Sequence, residues 1–257
     1  MKLKRLTQSL FASALALTFV SCATAKDEYT KASFPTGIDH SAWDEILKEY
    51  VDDKGLVDYK GLKANSEDYD KLNKYLDQYR KTGSKAKGKE LAAAATNAYN
   101  AYAIRSIIKN YPTESIKDID AVFTSDAHPV GDKKISLDDI EKGNLVPEFG
   151  PLSHSIVVCC AISCPPLQNE AYTAENIDEL AKKATAAWLA RKDLNNFQKE
   201  KDKVHVSKIF KWYEGDFEKE GGVKSFIADY APDKFSDKIA KAELEYLDYN
   251  WDLNEQK

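Results

Sequence analysis

The sequence predicts an α+β fold, a helix-rich single domain around a small, largely antiparallel sheet. Apolar residues recur at helical spacing in several stretches, the longest of which covers residues 90–111. Short runs rich in Val and small apolar residues indicate a few brief strands. Residues 41–257 contain neither an internal repeat nor a Gly-rich linker, so a single domain accounts for all of them.

Composition and charge exclude several classes of protein. The 257 residues are 43% hydrophobic and 31% charged, which excludes collagen-like, low-complexity and wholly disordered chains. The formal net charge is −5, and no cluster of Lys and Arg alternates with aromatic residues. We therefore expect no nucleic-acid partner.

The first 25 residues have the pattern of a bacterial signal peptide. Three cations lie within the first five residues, and the apolar run LFASALALTFV (10–20) follows them. This run is too short to be a permanent membrane-spanning helix. We therefore expect an exported mature protein that has no transmembrane helix.

Two cleavage sites compete at the end of this run. The segment Ala23–Ala25 fits the small-x-small rule of ordinary signal peptidase. Cys22 resembles the acylated cysteine of a lipoprotein box, although Phe19 stands where such a box prefers Leu. The position of Cys22 directly after the apolar run favours the lipoprotein. The predicted location is the periplasm, or the outer membrane with Cys22 as the lipid tether.

The predicted elements follow in chain order. Residues 26–40 are polar and contain one Pro and one Gly, which predicts a linker before a domain at 41–257. Helical spacing predicts helices at 41–51, 72–79, 90–111, 137–145, 175–190, 207–214 and 222–230. A hairpin is predicted within 120–136, strands at 153–161 and 204–207, and an extended or irregular segment at 243–251.

Local signals set several of these boundaries. Pro112 ends the longest helix at the residue before it. Ser136 can cap the helix 137–145, with Asp139 at the N3 position. Gly131 and Asp132 suit the tip of the hairpin. The run SHSIVVCCA (153–161) is rich in β-branched and small apolar residues, which predicts a buried strand.

Two asparagines stand out on the apolar helix 90–111. Asn97 and Asn100 are three residues apart and share one face of the helix. Asparagine is a poor helix former, and a buried amide needs hydrogen-bonding partners. For Asn97 we favour a structural role, in which the amide fixes a loop to the helix. For Asn100 a structural and a catalytic role stay open.

Cys164 is the candidate nucleophile. It precedes Pro165 and Pro166, and proline favours the first turn of a helix, which predicts Cys164 at a helix N-terminus where a thiolate is stabilised. His154 comes ten residues earlier, one predicted strand and one turn away, and is the candidate base. Glu141 could orient the histidine, although a solvated charge on a helix face is the simpler explanation.

The cysteine pattern bears on metal and redox chemistry. Cys22 is either cleaved off or lipidated, so Cys159, Cys160 and Cys164 are the cysteines that remain, and an odd number in an oxidising compartment leaves at least one free thiol. Buried, inert thiols are the plain alternative. Adjacent cysteines on a strand point to opposite faces, and the sequence has no CxxC or HExxH motif, so we predict no metal site. Without a P-loop, GxSxG or GxGxxG motif we predict no cofactor.

At these residues the chain resembles the DUF547 family of uncharacterised proteins. The resemblance implies one domain that covers nearly all of residues 41–255. It is carried by the stretches VDDKGLVDYKGL (51–62), LAAAATNAYNAYAIRSIIKNYPTESIKDI (91–119), ISLDDIEKGNL (135–145), HSIVVCCAISCPPLQNEAY (154–172), VSKIFKWYEGDF (206–217) and YLDYNWDL (246–253). The family's recurrent motif positions correspond here to Asn97, Tyr99, Asn100, His154, Cys159, Cys164 and Pro165.

The chain departs from the family pattern at two places. Ala95 and Thr96 replace the aromatic residue and Ile that usually precede the motif asparagine. Lys142 stands where the family usually has His after Ile-Glu. If that histidine takes part in the chemistry, the resemblance implies an impaired copy. The family name itself carries no reaction.

Two functional hypotheses follow, and a third is weaker. The first is a papain- or transglutaminase-like thiol hydrolase or acyltransferase, with Cys164 as nucleophile, His154 as base and Asn100 or Glu141 as the orienting group. The second is a non-catalytic envelope module, binding or structural, in which Cys159 and Cys164 form a disulfide. The third is a redox-active pair of the same two cysteines.

Overall fold

The computed structural model describes residues 29–257. The predicted signal peptide and the lipidation site at Cys22 lie outside these residues. The part of the predicted linker that is described packs against the domain, because Phe34 is buried against Tyr79 and the Thr30 amide donates to Asp139 at 2.6 Å. None of the helices in residues 29–257 combines the length and apolar character that a membrane-spanning helix needs.

Helices dominate the described chain, which confirms the predicted α+β, helix-rich fold. The α-helices are α1 (Ser41–Tyr50), α2 (Tyr59–Ala64), α3 (Ser66–Asp77), α4 (Gly88–Asn110), α5 (Val146–Phe149), α6 (Ile177–Ala190), α7 (Ile209–Trp212), α8 (Glu214–Glu218), α9 (Val223–Tyr230) and α10 (Ser236–Lys241). Short 3₁₀ turns are Gln78–Arg80, Ile116–Asp118, Gly150–Ser155 and Asp233–Phe235, and a π-helix covers Asp139–Leu145.

Two strand pairs complete the described fold. Strands β1 (His128–Val130) and β2 (Lys133–Ile135) form the predicted antiparallel hairpin around a turn at residues 131–132. Strands β3 (Lys203–Val206) and β4 (Glu243–Tyr246) pair in parallel, with His205 opposite Glu245. The strand predicted at 204–207 is thus confirmed within one residue, and its parallel partner is an addition to the predicted sheet.

Helix α4 lies at the centre of the larger apolar core. Its buried residues cover all sides of the helix, which is typical of a helix surrounded by protein. Helices α2 and α3 pack on one part of it, and the π-helix packs on another. A second apolar cluster around Trp188 and Phe210 joins the end of α6 to α7, α8 and α9. The buried α4 is the scaffold from which two asparagine side chains reach neighbouring loops.

The segment predicted as a buried strand, 153–161, has a different structure. It begins inside the 3₁₀ turn Gly150–Ser155, continues as irregular chain, and turns at Cys160, whose φ is +67°. Its backbone groups at Ile156 and Val158 pair with the amide of Asn100 rather than with a neighbouring strand. The prediction of a strand was therefore wrong, because a side chain supplies the hydrogen bonds that the apolar pattern assigned to a sheet.

The C-terminal segment crosses the domain beside this irregular chain. Ala161 pairs with Leu253 in an antiparallel bridge, and the Ile162 amide donates to the Asp252 carbonyl at 2.7 Å. The Asn254 amide donates in turn to the Cys160 carbonyl at 3.0 Å. These bonds hold residues 252–254 against the cysteine segment, although the paired residues are 90 to 94 positions apart in the sequence.

Candidate active site

Two thiols and a phenol meet at one point. The sulfur atoms of Cys159 and Cys164 lie 3.0 Å apart as free thiols. The Tyr249 hydroxyl lies 3.0 Å from the Cys164 sulfur and 3.7 Å from that of Cys159. The backbone N–H of Cys159 donates to the Cys164 sulfur at 3.3 Å. The Cys164 sulfur thus has three hydrogen-bonding neighbours, and all three can donate to it when it is a thiolate.

A turn, rather than a helix end, positions Cys164. Its amide donates to the Ala161 carbonyl at 3.0 Å, which closes the turn. The described backbone from Pro165 to Asn176 consists of turns and extended segments, and the next helix begins at Ile177. The predicted helix N-terminus at Cys164 was therefore wrong, and the groups that stabilise a thiolate there are the neighbouring thiol, phenol and backbone N–H.

The two thiols differ in acidity. Burial, the largest influence, raises the pKa of Cys164, but hydrogen bonds from Cys159, Tyr249 and the Cys159 backbone outweigh it, so the pKa is lowered overall. The hydrogen bond to Cys164, followed by burial, raises the pKa of Cys159 well above its usual value. Burial likewise raises the pKa of Tyr249, which keeps its hydroxyl proton as a donor. Cys164 is therefore the more acidic of the two thiols, and Cys159 is the one that keeps its proton.

The thiol pair lies at the wall of an aromatic cavity. The cavity has a volume of about 340 Å³ and includes the polar side chains Asp138, Glu141 and Lys142 in its lining. Its aromatic lining comprises Tyr99, Phe123, Trp212, Tyr213, Tyr249 and Trp251. Trp212 is 46% exposed and marks the rim of the cavity. The site is thus a partly enclosed apolar pocket with two thiols and a few charged groups.

His154 lies behind this cavity and is held by carboxylates. Its Nε2 is 3.1 Å from Asp216 Oδ2, and its Nδ1 is 3.4 Å from Glu141 Oε1, which is longer than a well-formed hydrogen bond. The imidazole stacks on the Tyr213 ring at a centroid distance of 3.9 Å. Within residues 29–257 it forms no hydrogen bond with Cys164, so the predicted direct Cys164–His154 pair is corrected to a carboxylate–histidine–carboxylate cluster.

His154 and Asp216 each stabilise the charged form of the other. Burial, the largest influence, lowers the pKa of His154, but the carboxylates of Asp216 and Glu141 together raise it above its usual value. The hydrogen bond from His154 lowers the pKa of Asp216 to about 2. Lys219 adds a contact of 2.8 Å to the other oxygen of Asp216. The imidazolium is therefore favoured, and its hydrogen bond is to Asp216, whereas Glu141 lies at 3.4 Å on the side of the cavity.

Residues 84–189 match the family model described as Protein of unknown function, DUF547. The DUF547 match thus covers the central part of this chain. The match confirms the family resemblance there and contains the motif positions from Asn97 to Cys164. That the family extends over nearly all of residues 41–255 stays a prediction. No curated protein and no solved structure matches the chain.

The DUF547 match includes the two asparagines, which act as clamps on the backbone. Asn100 donates to the Ile156 carbonyl at 3.0 Å and accepts from the Val158 amide at 2.8 Å. Asn97 makes the same pair of bonds with the backbone of Tyr172, at 2.7 and 3.1 Å. Both side-chain amides are buried and form these backbone hydrogen bonds. Asn100 therefore holds the cysteine segment and does not orient His154.

Several site residues were missed by sequence reasoning. Asp216 and Tyr213 hold His154, Tyr249 donates to the thiols, and Trp212 and Trp251 line the cavity. All five lie outside the DUF547 match. The only signal in the sequence was their presence in the stretches VSKIFKWYEGDF (206–217) and YLDYNWDL (246–253), where aromatic residues are unusually dense for segments predicted as short helices or irregular chain.

Metal ligands can be assessed for residues 29–257. One group of three side chains there, Glu200, His205 and Glu245, has its ligand atoms within 4.8 Å of one another. The imidazole of His205 is already 3.1 Å from Glu200, and Glu245 is bonded to Lys203 at 2.7 Å. These contacts account for the cluster, which lies at the β3–β4 pair and outside the cavity lining.

Proposed function

We propose that this DUF547 protein carries out thiol–disulfide exchange, with Cys164 as the attacking sulfur and Cys159 as the resolving sulfur. The observation that carries the proposal is the contact of the two thiols at 3.0 Å beside an open aromatic cavity. Three donors directed at Cys164 support its thiolate form, and thiolates are the reactive species in such exchange.

The proposed reaction has two steps. The Cys164 thiolate attacks one sulfur of a substrate disulfide, a new sulfur–sulfur bond forms, and the second substrate sulfur leaves as a thiolate that takes a proton from water. Cys159 then attacks the Cys164 sulfur and forms the Cys159–Cys164 disulfide, while the first substrate sulfur leaves and takes up, through water, the proton that Cys159 loses. Two electrons pass from the protein thiols to the substrate, and an external dithiol restores the reduced pair.

Acyl transfer by Cys164 is the second candidate function. A thiol hydrolase needs a general acid or base that reaches both the nucleophile and the leaving group. The described contacts of His154 are to carboxylates, whereas Glu141 lines the same cavity as Cys164. In this alternative Glu141 serves as the acid and base, and His154 orients it. Disulfide exchange requires no such group, which is why we place it first.

The non-catalytic alternative uses the same sulfurs differently. A Cys159–Cys164 disulfide would make the segment a structural staple, and the cavity a binding site only. Such a bridge closes a very short loop, for which loop entropy gives a stabilisation of about 2 kcal/mol. The two proposals differ in whether the pair cycles between thiols and disulfide under mild reductant.

The pH profile of Cys164 alkylation tests the proposal. In fully reduced protein we expect iodoacetamide to modify Cys164 with a midpoint below about 8.5, the ordinary thiol value. Tyr249→Phe should shift the midpoint upward, because it removes one donor from the thiolate. Cys160→Ala is the matched control, since Cys160 is buried away from the cavity lining, and it should leave the profile unchanged.

Each of the following outcomes would contradict thiol–disulfide exchange. A midpoint at the ordinary thiol value, or no modification of Cys164 at any pH, removes the attacking thiolate. A Cys159–Cys164 bridge that resists excess dithiol in the folded protein supports the non-catalytic module. An ester hydrolysis assay distinguishes the second candidate. The Cys159→Ser variant cannot complete disulfide exchange, so release of the acid product by this variant would favour acyl transfer.

A further inference from the structure

The thiol cavity continues into a larger groove. A neighbouring groove of about 1080 Å³ shares Lys142, Trp212, Tyr213 and Trp251 with the cavity. We call the two together the aromatic groove. Drug-sized ligands occupy cavities of about 300–1,000 Å³. The aromatic groove exceeds that range, so it has room for several residues of a polypeptide on one side of the sulfur pair.

The walls of the aromatic groove offer flat apolar surface. The rings of Trp212 and Trp251 stack with centroids 5.8 Å apart and planes at 28°. Tyr249, which donates to Cys164, packs 4.6 Å from Trp251. Tryptophan and tyrosine faces of this kind bind apolar and aromatic side chains well. The exposed aromatic surface therefore leads directly to the attacking sulfur.

The charges of the aromatic groove disfavour an anionic ligand. Its two cations, Lys142 and Lys219, are each bonded to a carboxylate, at 3.0 Å to Asp138 and 2.8 Å to Asp216. Further carboxylates, among them Glu148 and Glu220, line the larger groove. Among the lining residues within 29–257, carboxylates thus outnumber cations, and both of these cations are paired, so they offer a small acidic thiol compound no free partner.

We infer that the substrate disulfide is borne by a polypeptide segment whose cysteine is flanked by apolar or aromatic residues without acidic side chains. The flanking residues lie on Trp212 and Trp251 while the substrate sulfur reaches Cys164. This inference rests on the proposed exchange function. The inference specifies the substrate class. A small acidic thiol compound would need a cation as its partner, and Lys142 and Lys219 are already paired with carboxylates.

Two probes with the same leaving group test the substrate class. One is an N-acetylated, C-amidated pentapeptide of Leu, Phe, a central Cys, Phe and Leu, activated as its 2-thiopyridyl disulfide. The other is glutathione activated in the same way. In the Cys159→Ser protein the first step alone takes place, and pyridine-2-thione release gives its rate. We expect the peptide to react about fivefold faster or more, a typical effect of aromatic anchors.

Variants at the rim separate binding from chemistry. Trp212→Ala should bring the ratio of the two rates towards one, and Trp212→Phe should retain most of it, because an aromatic face remains. Tyr69→Ala is the control, a half-buried tyrosine on α3 that does not line the aromatic groove, and it should leave the ratio unchanged.

The outcomes for the substrate class and for the function are distinguishable. If both probes fail to form an adduct at Cys164, as mapped by peptide mass analysis, the exchange function itself is wrong. If both form it at equal rates, or activated glutathione reacts faster, the exchange function stands and the apolar polypeptide class is overturned. A ratio that does not respond to Trp212→Ala also contradicts the inference, because the groove would then not carry the selectivity.

Discussion

Asn100 fixes the cysteine segment through both ends of one amide. Asn100→Ala leaves the Ile156 carbonyl and the Val158 amide without their partner in a buried place. We expect the free energy of unfolding to fall by about 1–3 kcal/mol, measured by urea denaturation. Asn110→Ala is the control, since Asn110 is exposed at the end of α4 and bonds only within its own helix. Equal effects of the two substitutions would contradict the clamp.

Asp216 and His154 predict a stability that depends on pH in two directions. The pKa of Asp216 is lowered to about 2 by the hydrogen bond from His154, so its stabilisation is present above its ordinary value of 3.8 and is lost as the pH falls towards 2. The pKa of His154 is raised, so its stabilisation is complete below 6.5 and is lost as the pH rises through the folded value.

The substitution Asp216→Asn tests both of these dependences of stability on pH. The difference in unfolding free energy between the natural protein and the variant should be greatest near pH 5 and should shrink towards lower and higher pH. Urea denaturation across this range measures it. Asp229→Asn, an exposed substitution on α9, controls for the loss of one negative charge. A difference that is flat with pH would show that the two groups do not stabilise each other.

At the scale of elements, the turn around Gly55 supports the segment that follows Cys164. A Cβ at Gly55 would lie 2.5 Å from the Leu167 amide and 2.8 Å from Pro166 backbone, and the φ of +76° is itself unfavourable for other residues. Gly55→Ala should therefore destabilise the protein and slow the alkylation of Cys164. Gly37→Ala is a matched control, because Gly37 has a similar φ of +67° but open space around it.

Thermal melts and Cys164 alkylation rates distinguish the two effects. Both glycine variants carry the cost of the backbone conformation, so the additional loss in Gly55→Ala measures the collision with the Pro166–Leu167 backbone. If the two variants lose the same stability and keep the same alkylation rate, the turn does not position the thiol segment.

The predictions of helices and caps were correct where the sequence pattern that indicates them is local. The cap at Ser136 is present, since its hydroxyl donates to Asp139 at 2.8 Å and accepts from the Asp139 amide at 3.0 Å. The helix α4 begins and ends within two residues of its prediction. The strand at 153–161 failed, because an apolar run indicates burial but does not say whether a sheet or an asparagine side chain pairs its backbone.

At the scale of the whole molecule, export is the prediction that the N-terminal pattern carries. Intact-mass analysis of membrane and soluble fractions should show a mature chain that lacks residues 1–21 or 1–25. A lipid on Cys22 selects the lipoprotein branch, and Cys22→Ser should then abolish membrane association. A chain that begins at Met1 in both fractions contradicts export.

The sequence by itself determined the helix-rich α+β class, the hairpin and the cap at Ser136. It also named the candidate site residues Cys159, Cys164, His154, Asn100 and Glu141, whose roles stay predictions. These follow from periodicity, turn residues and residue chemistry, which act over a few residues or within one motif.

Only the tertiary structure decided how those groups combine. It brings Tyr249 to Cys164 across 85 residues and Asp216 to His154 across 62. Such contacts depend on the packing of distant segments, in this case the C-terminal chain against 160–163 and α8 beside the 3₁₀ turn Gly150–Ser155. A side chain's partner over such distances is set by the shared burial of both segments, and no local pattern encodes it.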